Sequence, residues 1–128
     1  MKNLFLIALV LPFLAWVSPD QNLSGINDAF QRGDAKSLAQ YFDSRVDIAI
    51  LEQEDTYDKQ GAERIITDFF SKNKPQSYKS VHQGVSKNAD SQYSIGDLIT
   101  ASGAYRVYVY MKVDGSNHTI MEIRFDKK

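Results

Sequence analysis

From residue 77 to residue 126 the chain is almost entirely strand-like alternation, in four runs at about 77–86, 91–101, 103–113 and 118–126. The breaks between them are Lys87-Asn88-Ala89-Asp90, Ser102-Gly103 and Asp114-Gly115-Ser116-Asn117, all rich in turn formers. Breaks this short close hairpins. They cannot return the chain to a parallel neighbour, which takes a dozen or more residues. The four runs are therefore expected to pair in order, antiparallel.

Helical periodicity precedes this block. Leu23, Ile26 and Phe30 recur on one helical face, Gly33 can end that helix, and Asp34 can cap a second one carrying Leu38, Tyr41 and Phe42. Val46, Ile48 and Ile50 alternate with Asp47 and Ala49, a further strand, and the acidic run Glu52-Gln53-Glu54-Asp55 reads as a turn. Asp58 can cap a third helix in which Ala62, Ile65, Ile66, Phe69 and Phe70 share a face and which Pro75 follows. Helices cluster early and strands late, so the fold class is α+β: N-terminal helices packed on a mainly antiparallel sheet.

Residues 1–18, MKNLFLIALVLPFLAWVS, read as a signal peptide: Lys2 leads an apolar core too short to span a bilayer comfortably. Cleavage is expected near Val17 or Ser18, leaving 19–128 as a single domain that is periplasmic or secreted. Membrane attachment would come only through an uncleaved leader. Cysteine is absent, which excludes a lipoprotein, disulfides and thiolate chemistry. A formal net charge of −1, with only the thin cluster Lys72, Lys74 and Lys79, gives no basic stripe for nucleic acid. Two histidines do not make a histidine-rich metal site, and no phosphate loop, dinucleotide fingerprint or Ser-His-Asp order occurs, so no metal or cofactor is expected.

Parity divides the strands. Tyr105, Val107, Val109 and Met111 share one face of 103–113, and Arg106, Tyr108, Tyr110 and Lys112 share the other. In 118–126, Met121, Ile123 and Phe125 form the apolar set against Ile120, Glu122 and Arg124. A turn closed by Asp114 and His118 sets Tyr110 opposite Glu122 and Tyr108 opposite Arg124. In 91–101 the apolar parity changes between Tyr93, Ile95 and Leu98, Thr100, which predicts a β-bulge at Gly96-Asp97 and a strongly curved sheet. A curved sheet over helices leaves a cone-shaped interior suited to a small ligand.

Several residues are candidates for chemistry. His82 is the best single acid or base, weighed against a histidine hydrogen-bonded within the sheet; His118, after a turn, is expected to be exposed. Tyr41, Tyr57, Tyr93 and Tyr105 could supply polar tips to the cone, each weighed against a satisfied core tyrosine. Asp97 fits backbone bonding or solvent better than a buried base. Arg106, Tyr108, Tyr110, Glu122 and Arg124 form an outer-face set suited to an interface.

The order of elements resembles the nuclear-transport-factor-2-like superfamily, a cystatin-like α+β roll. Within it, the segments "FQRGDAKSLAQYF", "FFSKNKPQSYKSVHQG", "YSIGDLITASGAYRVYVYMK" and "IMEIRF" resemble domain of unknown function 4783, a family found mainly in Bacteroidota. The resemblance covers about residues 22–126 and implies the roll with its cone, but no activity. Ketosteroid-isomerase relatives of the superfamily pair an aspartate base with a tyrosine and a protonated acid. Their positions find no match here, so none carries over.

The expectation is an exported, non-catalytic domain that binds a small apolar or amphipathic ligand (through His82, Tyr93, Tyr105 and Tyr41) or a protein. The alternative is an isomerase or hydrolase-like enzyme using His82 in the cone. A homodimer through the outer sheet face is compatible with either.

Overall fold

The computed structural model describes residues 21–128, with side chains from Leu23 onward. The expected signal peptide at 1–18 lies outside the described residues. Helix α1 (Gln21–Arg32) and the short α2 (Ala35–Ala39) lead into β1 (Phe42–Ile50) and β2 (Gln53–Asp58). Then come α3 (Lys59–Lys72), β3 (Pro75–Val85), β4 (Ser91–Thr100), β5 (Gly103–Asp114) and β6 (Asn117–Lys127).

The helix boundaries follow from local chemistry. Gly33 has φ +65°, a conformation only glycine adopts without cost, and it turns the chain out of α1. Asp34 then accepts from the Ser37 N–H at 3.0 Å and from the Ser37 hydroxyl at 2.7 Å. These bonds to the ionised form hold its carboxyl below the usual range. Asp58 caps α3 in the same way, accepting from the Gly61 N–H at 2.7 Å. Asn73 closes α3, its N–H bonding the Phe69 carbonyl at 2.8 Å.

All strands form one sheet in the order β2-β1-β6-β5-β4-β3. Every pairing is antiparallel except β1 with β6. That parallel contact was not expected. Its crossover is not a loop but the whole of β2 to β5, so the short breaks never had to supply it. A second correction concerns the acidic run: only Leu51-Glu52 form the turn, and Gln53-Glu54-Asp55 begin β2. This strand is held by its register with β1 and by a bond from the Thr56 hydroxyl to Asp47, not by an apolar face.

The helices cover one face. Phe30 is the hub beneath them: it stacks on Tyr78 at 4.9 Å between centroids and meets Phe70 and Phe125 edge-on at 6.2 and 6.3 Å. Phe69 packs on Phe125 at 4.2 Å and edge-on to Tyr105 at 5.3 Å. Burial pushes the Tyr78 phenol up to about 12, with the Ser94 hydroxyl and the Asp97 charge as lesser influences. The cone is thus filled with aromatic side chains.

The curvature exists, but its bulges are elsewhere. β4 runs in unbroken register against β5, so Gly96-Asp97 is not a bulge. Register shifts occur in β3, between Pro75 and Ser77 and between Ser80 and His82, and in β6, where Met121 is the extra residue. The β6 bulge has a consequence. Before it, His118 and Ile120 point inward; after it, Ile123 and Phe125 do. His118 is therefore not exposed: it keeps 7% of its surface and its Nε2 lies 2.8 Å from Gln92 Oε1.

Candidate functional site

The outer face of the sheet carries the exposed aromatic side chains. Continuous alternation along β4 sends Gln92, Ser94, Gly96, Leu98 and Thr100 inward and leaves Tyr93, Ile95, Asp97 and Ile99 outside. On β5, Arg106, Tyr108, Tyr110 and Lys112 face out, and on β6, beyond its bulge, Glu122, Arg124 and Asp126 do. Cross-strand register sets Tyr110 opposite both Tyr93 and Glu122, and Tyr108 opposite both Ile95 and Arg124.

These side chains enclose a groove of about 550 Å³ lined by Tyr93, Ile95, Tyr108, Tyr110, Glu122 and Arg124, with Asp126 at its end. Tyr93, Tyr108 and Tyr110 are 40%, 38% and 42% exposed. The hydroxyls of Tyr108 and Tyr110 have no hydrogen-bond partner among the described residues, and Glu122 has no ion-pair partner among them. Arg124 is held only loosely, Nη2 at 3.7 Å from Glu54 and Nε at 3.9 Å from Asp126. That Nε is shielded from solvent yet makes no hydrogen bond. A shielded donor without a bond is costly.

The neighbouring row is, by contrast, satisfied. Asp97 accepts from Arg106 Nε at 2.9 Å and from Lys128 Nζ at 2.7 Å. The Lys128 bond is the main reason its carboxyl titrates below the usual range, ahead of the Arg106 bond. Because the folded pKa is depressed, this stabilisation is present above the unfolded carboxylate value and is lost as pH falls through the folded value. Asp97→Asn should therefore cost about 0.2–1 kcal/mol per lost pair at pH 7, and the difference from wild type should shrink as pH falls towards the depressed folded value. Urea melts at pH 7 and pH 2.5 check this; an undiminished difference at pH 2.5 would contradict it.

The four residues expected to line a ligand site in the cone do not gather there; of them His82 and Tyr93 meet, but on the outer face. His82 is exposed on the outer face of β3, opposite Ile95, with its Nε2 3.0 Å from the Tyr93 hydroxyl. Tyr93, expected to point inward, lies outside with its ring over Gly84. Tyr105 remains on the inner side, donating to Asn73 Oδ1 at 3.0 Å. It borders a smaller pocket of about 270 Å³ shared with Ile48, Ile50, Tyr57, Phe69 and Lys72. Tyr41 lies over Gly25 of α1, beside the start of β6, whereas Tyr105 pairs with Lys127 at its end. An acid or base in the cone must reach a substrate held there. His82 is on the wrong side of the sheet for that, and among the described residues it has no carboxylate partner.

Helices followed by a curved six-stranded sheet, with an aromatic-packed cone on one side and an open face on the other, form a cystatin-like, nuclear-transport-factor-2-like fold. Solved structures agree. A domain of unknown function with a cystatin-like fold from Nostoc punctiforme superposes with a TM-score of 0.62 at 11% identity, over 83% of this chain and 72% of that one. An NTF-2 like protein of unknown function from Silicibacter pomeroyi gives 0.61 at 11% identity, over 83% and 89%. More narrowly, residues 23–126 match the family described as Domain of unknown function (DUF4783). A DUF4783 family protein from Bacteroides ovatus superposes with a TM-score of 0.77 at 32% identity, over 82% of this chain and 94% of that one. The chain belongs to the DUF4783 family. A search of curated protein sequences returns no match.

Proposed function

We propose that the chain is an exported, non-catalytic binding domain that works through the outer face of its sheet. One observation carries this reading: the outer groove combines half-exposed tyrosines with hydroxyls, a carboxylate and a guanidinium left without close partners, while the cone beneath is packed with phenylalanine. Aromatic and arginine side chains are what the desolvated centre of an interface is enriched in. The apolar leader at residues 1–18 supports export.

The test uses protein in the periplasm of the source cells. Tyr108 and Tyr110 should be protected from tetranitromethane there, and become reactive once the protein is purified and diluted to nanomolar concentration. Native mass spectrometry of the purified chain should show no retained small molecule. Equal nitration in both settings overturns the reading. So does a retained small molecule that survives Tyr108→Ala/Tyr110→Ala, which would move binding to the pocket beside Tyr105.

A further inference from the structure

We propose that the outer groove takes a proline-rich, extended segment of another protein, with an arginine three residues along from a proline seated in the groove. This deepens the outer-face reading above and rests on it. The strands supply the first argument. β4, β5 and β6 each have a neighbour on both sides, so the groove they floor offers an occupant no free main-chain group. It offers the rings of Tyr93, Tyr108 and Tyr110 beside Ile95, and the hydroxyls of Tyr108 and Tyr110, which have no partner among the described residues. An occupant must therefore bring apolar surface for the rings and free acceptors for the hydroxyls. A helix, or a strand within a sheet, has its carbonyls already bonded. A polyproline II segment makes no internal hydrogen bonds, so its carbonyls are free and its pyrrolidine rings are exposed. Such segments dock in aromatic-lined grooves because they are ordered before they bind.

Charge and spacing supply the second argument. Asp47 and Glu122 are neighbours in the parallel β1–β6 register, both half-buried on the outer face. Asp47 accepts from the Thr56 hydroxyl at 2.6 Å, but neither carboxylate has an ion-pair partner among the described residues. Arg124, in the next row, is shared between Glu54 and Asp126. Arg45 and Lys112 on the same face are exposed and keep their hydration, whereas two half-buried carboxylates side by side favour a cation brought to them. Glu122 lies two strands from Tyr93, by way of Tyr110. At about 4.8 Å a strand, that is about 9.6 Å. A polyproline II segment returns to the same face every third residue, after about 9.3 Å. Laid across the strands, a proline over Tyr93 and Ile95 places the third residue beyond it over Glu122 and Asp47. An arginine there presents a fork of donors to both carboxylates.

The experiment is calorimetric titration of the chain from residue 19, which holds every element of the fold, with synthetic peptides of equal length. The first is proline throughout with one central arginine, the second proline throughout, and the third glycine and serine with the same arginine. The first should bind saturably. The second should bind about three- to fivefold more weakly, the size of one ion pair. The third should bind at least about tenfold more weakly, having neither the rings nor the preorganised backbone. Glu122→Gln should weaken the first peptide about three- to fivefold and leave the second within about twofold. Tyr108→Phe/Tyr110→Phe keeps the rings, removes the hydroxyls, and should weaken both proline peptides at least about threefold. Circular dichroism melts within a few degrees of wild type confirm that these near-isosteric variants fold. Absence of saturable binding of the first peptide at millimolar concentration overturns the proposal. So does equal affinity for the third peptide, which would mean that charge alone is read, or indifference to the paired phenylalanine substitutions. Self-association of wild type that the first peptide does not compete assigns the face to a second copy and also overturns it. None of these results touches the outer-face reading itself, because nitration in the periplasm tests that separately.

Discussion

Phe30→Ala is expected to cost about 3–5 kcal/mol, the upper range for truncating a buried aromatic. Phe30 has no exposed surface and touches three other rings, one from each of α3, β3 and β6. Removing it leaves a cavity between layers that cannot close independently: α1 is tied to β3, and β6 is paired on both sides by β1 and β5. The stack on Tyr78 is lost too, so the buried phenol loses its cover. In a domain of this size the midpoint should fall by roughly 10–20 °C or more. A matched substitution of an outer tyrosine, Tyr108→Ala, removes a ring of similar size from a half-exposed site and should cost under about 1 kcal/mol when measured on monomer. Guanidinium melts of the two variants at nanomolar concentration check the contrast. Comparable losses would mean that the cone is not the stabilising core.

Much of the fold was legible because its signals are apolar and periodic. The faces of α1 and α3 and the caps at Asp34 and Asp58 follow from spacing alone. The pairing of Tyr110 with Glu122 and Tyr108 with Arg124 holds for a different reason than expected: Asp114 pairs with Asn117, not His118, and the bulge at Met121 shifts the register by one to bring those pairs together. What escaped has a common physical cause. β2 reads QEDTYD and is a mostly exposed edge strand, so no hydrophobic alternation marks it. Its stability comes from backbone pairing, which leaves no trace in side-chain type. The parity change at Gly96-Asp97 was real as a pattern but misread as a bulge. The rule that the apolar side faces in fails on β4, where Tyr93 and Ile95 face out and Gln92, Ser94 and Gly96 face in. The inner polar residues are accommodated by specific partners: Gln92 by His118, and Gly96 by the ring of Tyr78. His118 was misplaced for a related reason, since a one-residue bulge at Met121 reverses every side chain before it. The apolar excess on the outer side of β4 is the same feature that makes that face the candidate site, so the failure of the parity rule falls where function is proposed.

The two glycines of this region make a sharper test, because the same substitution should have opposite weight on the two faces. A Cβ on Gly96 would lie 2.2 Å from both Cζ and the hydroxyl oxygen of Tyr78; one on Gly84 would lie 2.2 Å from Cε1 of Tyr93. The clashes are equal and the rings are not. Tyr78 is buried and clamped against Phe30, so it can yield only by displacing α1. Gly96→Ala should therefore cost about 2–3 kcal/mol, as overpacking of a full core does. Tyr93 is partly exposed, and among the described residues its hydroxyl bonds only His82, 3.0 Å from hydroxyl to Nε2 and 5.6 Å between centroids. It can rotate into solvent. Gly84→Ala then gives up one surface hydrogen bond and gains the strand preference of alanine over glycine, for a net change within about 0.5 kcal/mol. Equilibrium urea unfolding of both variants decides the matter. If Gly84→Ala proves as damaging as Gly96→Ala, then Tyr93 is not free to move, and the outer groove is a rigid part of the fold with no adaptable binding surface. If Gly96→Ala is mild, the Tyr78 ring has room that the packed cone does not show, and a ligand between α1 and β4 becomes the better account of this family.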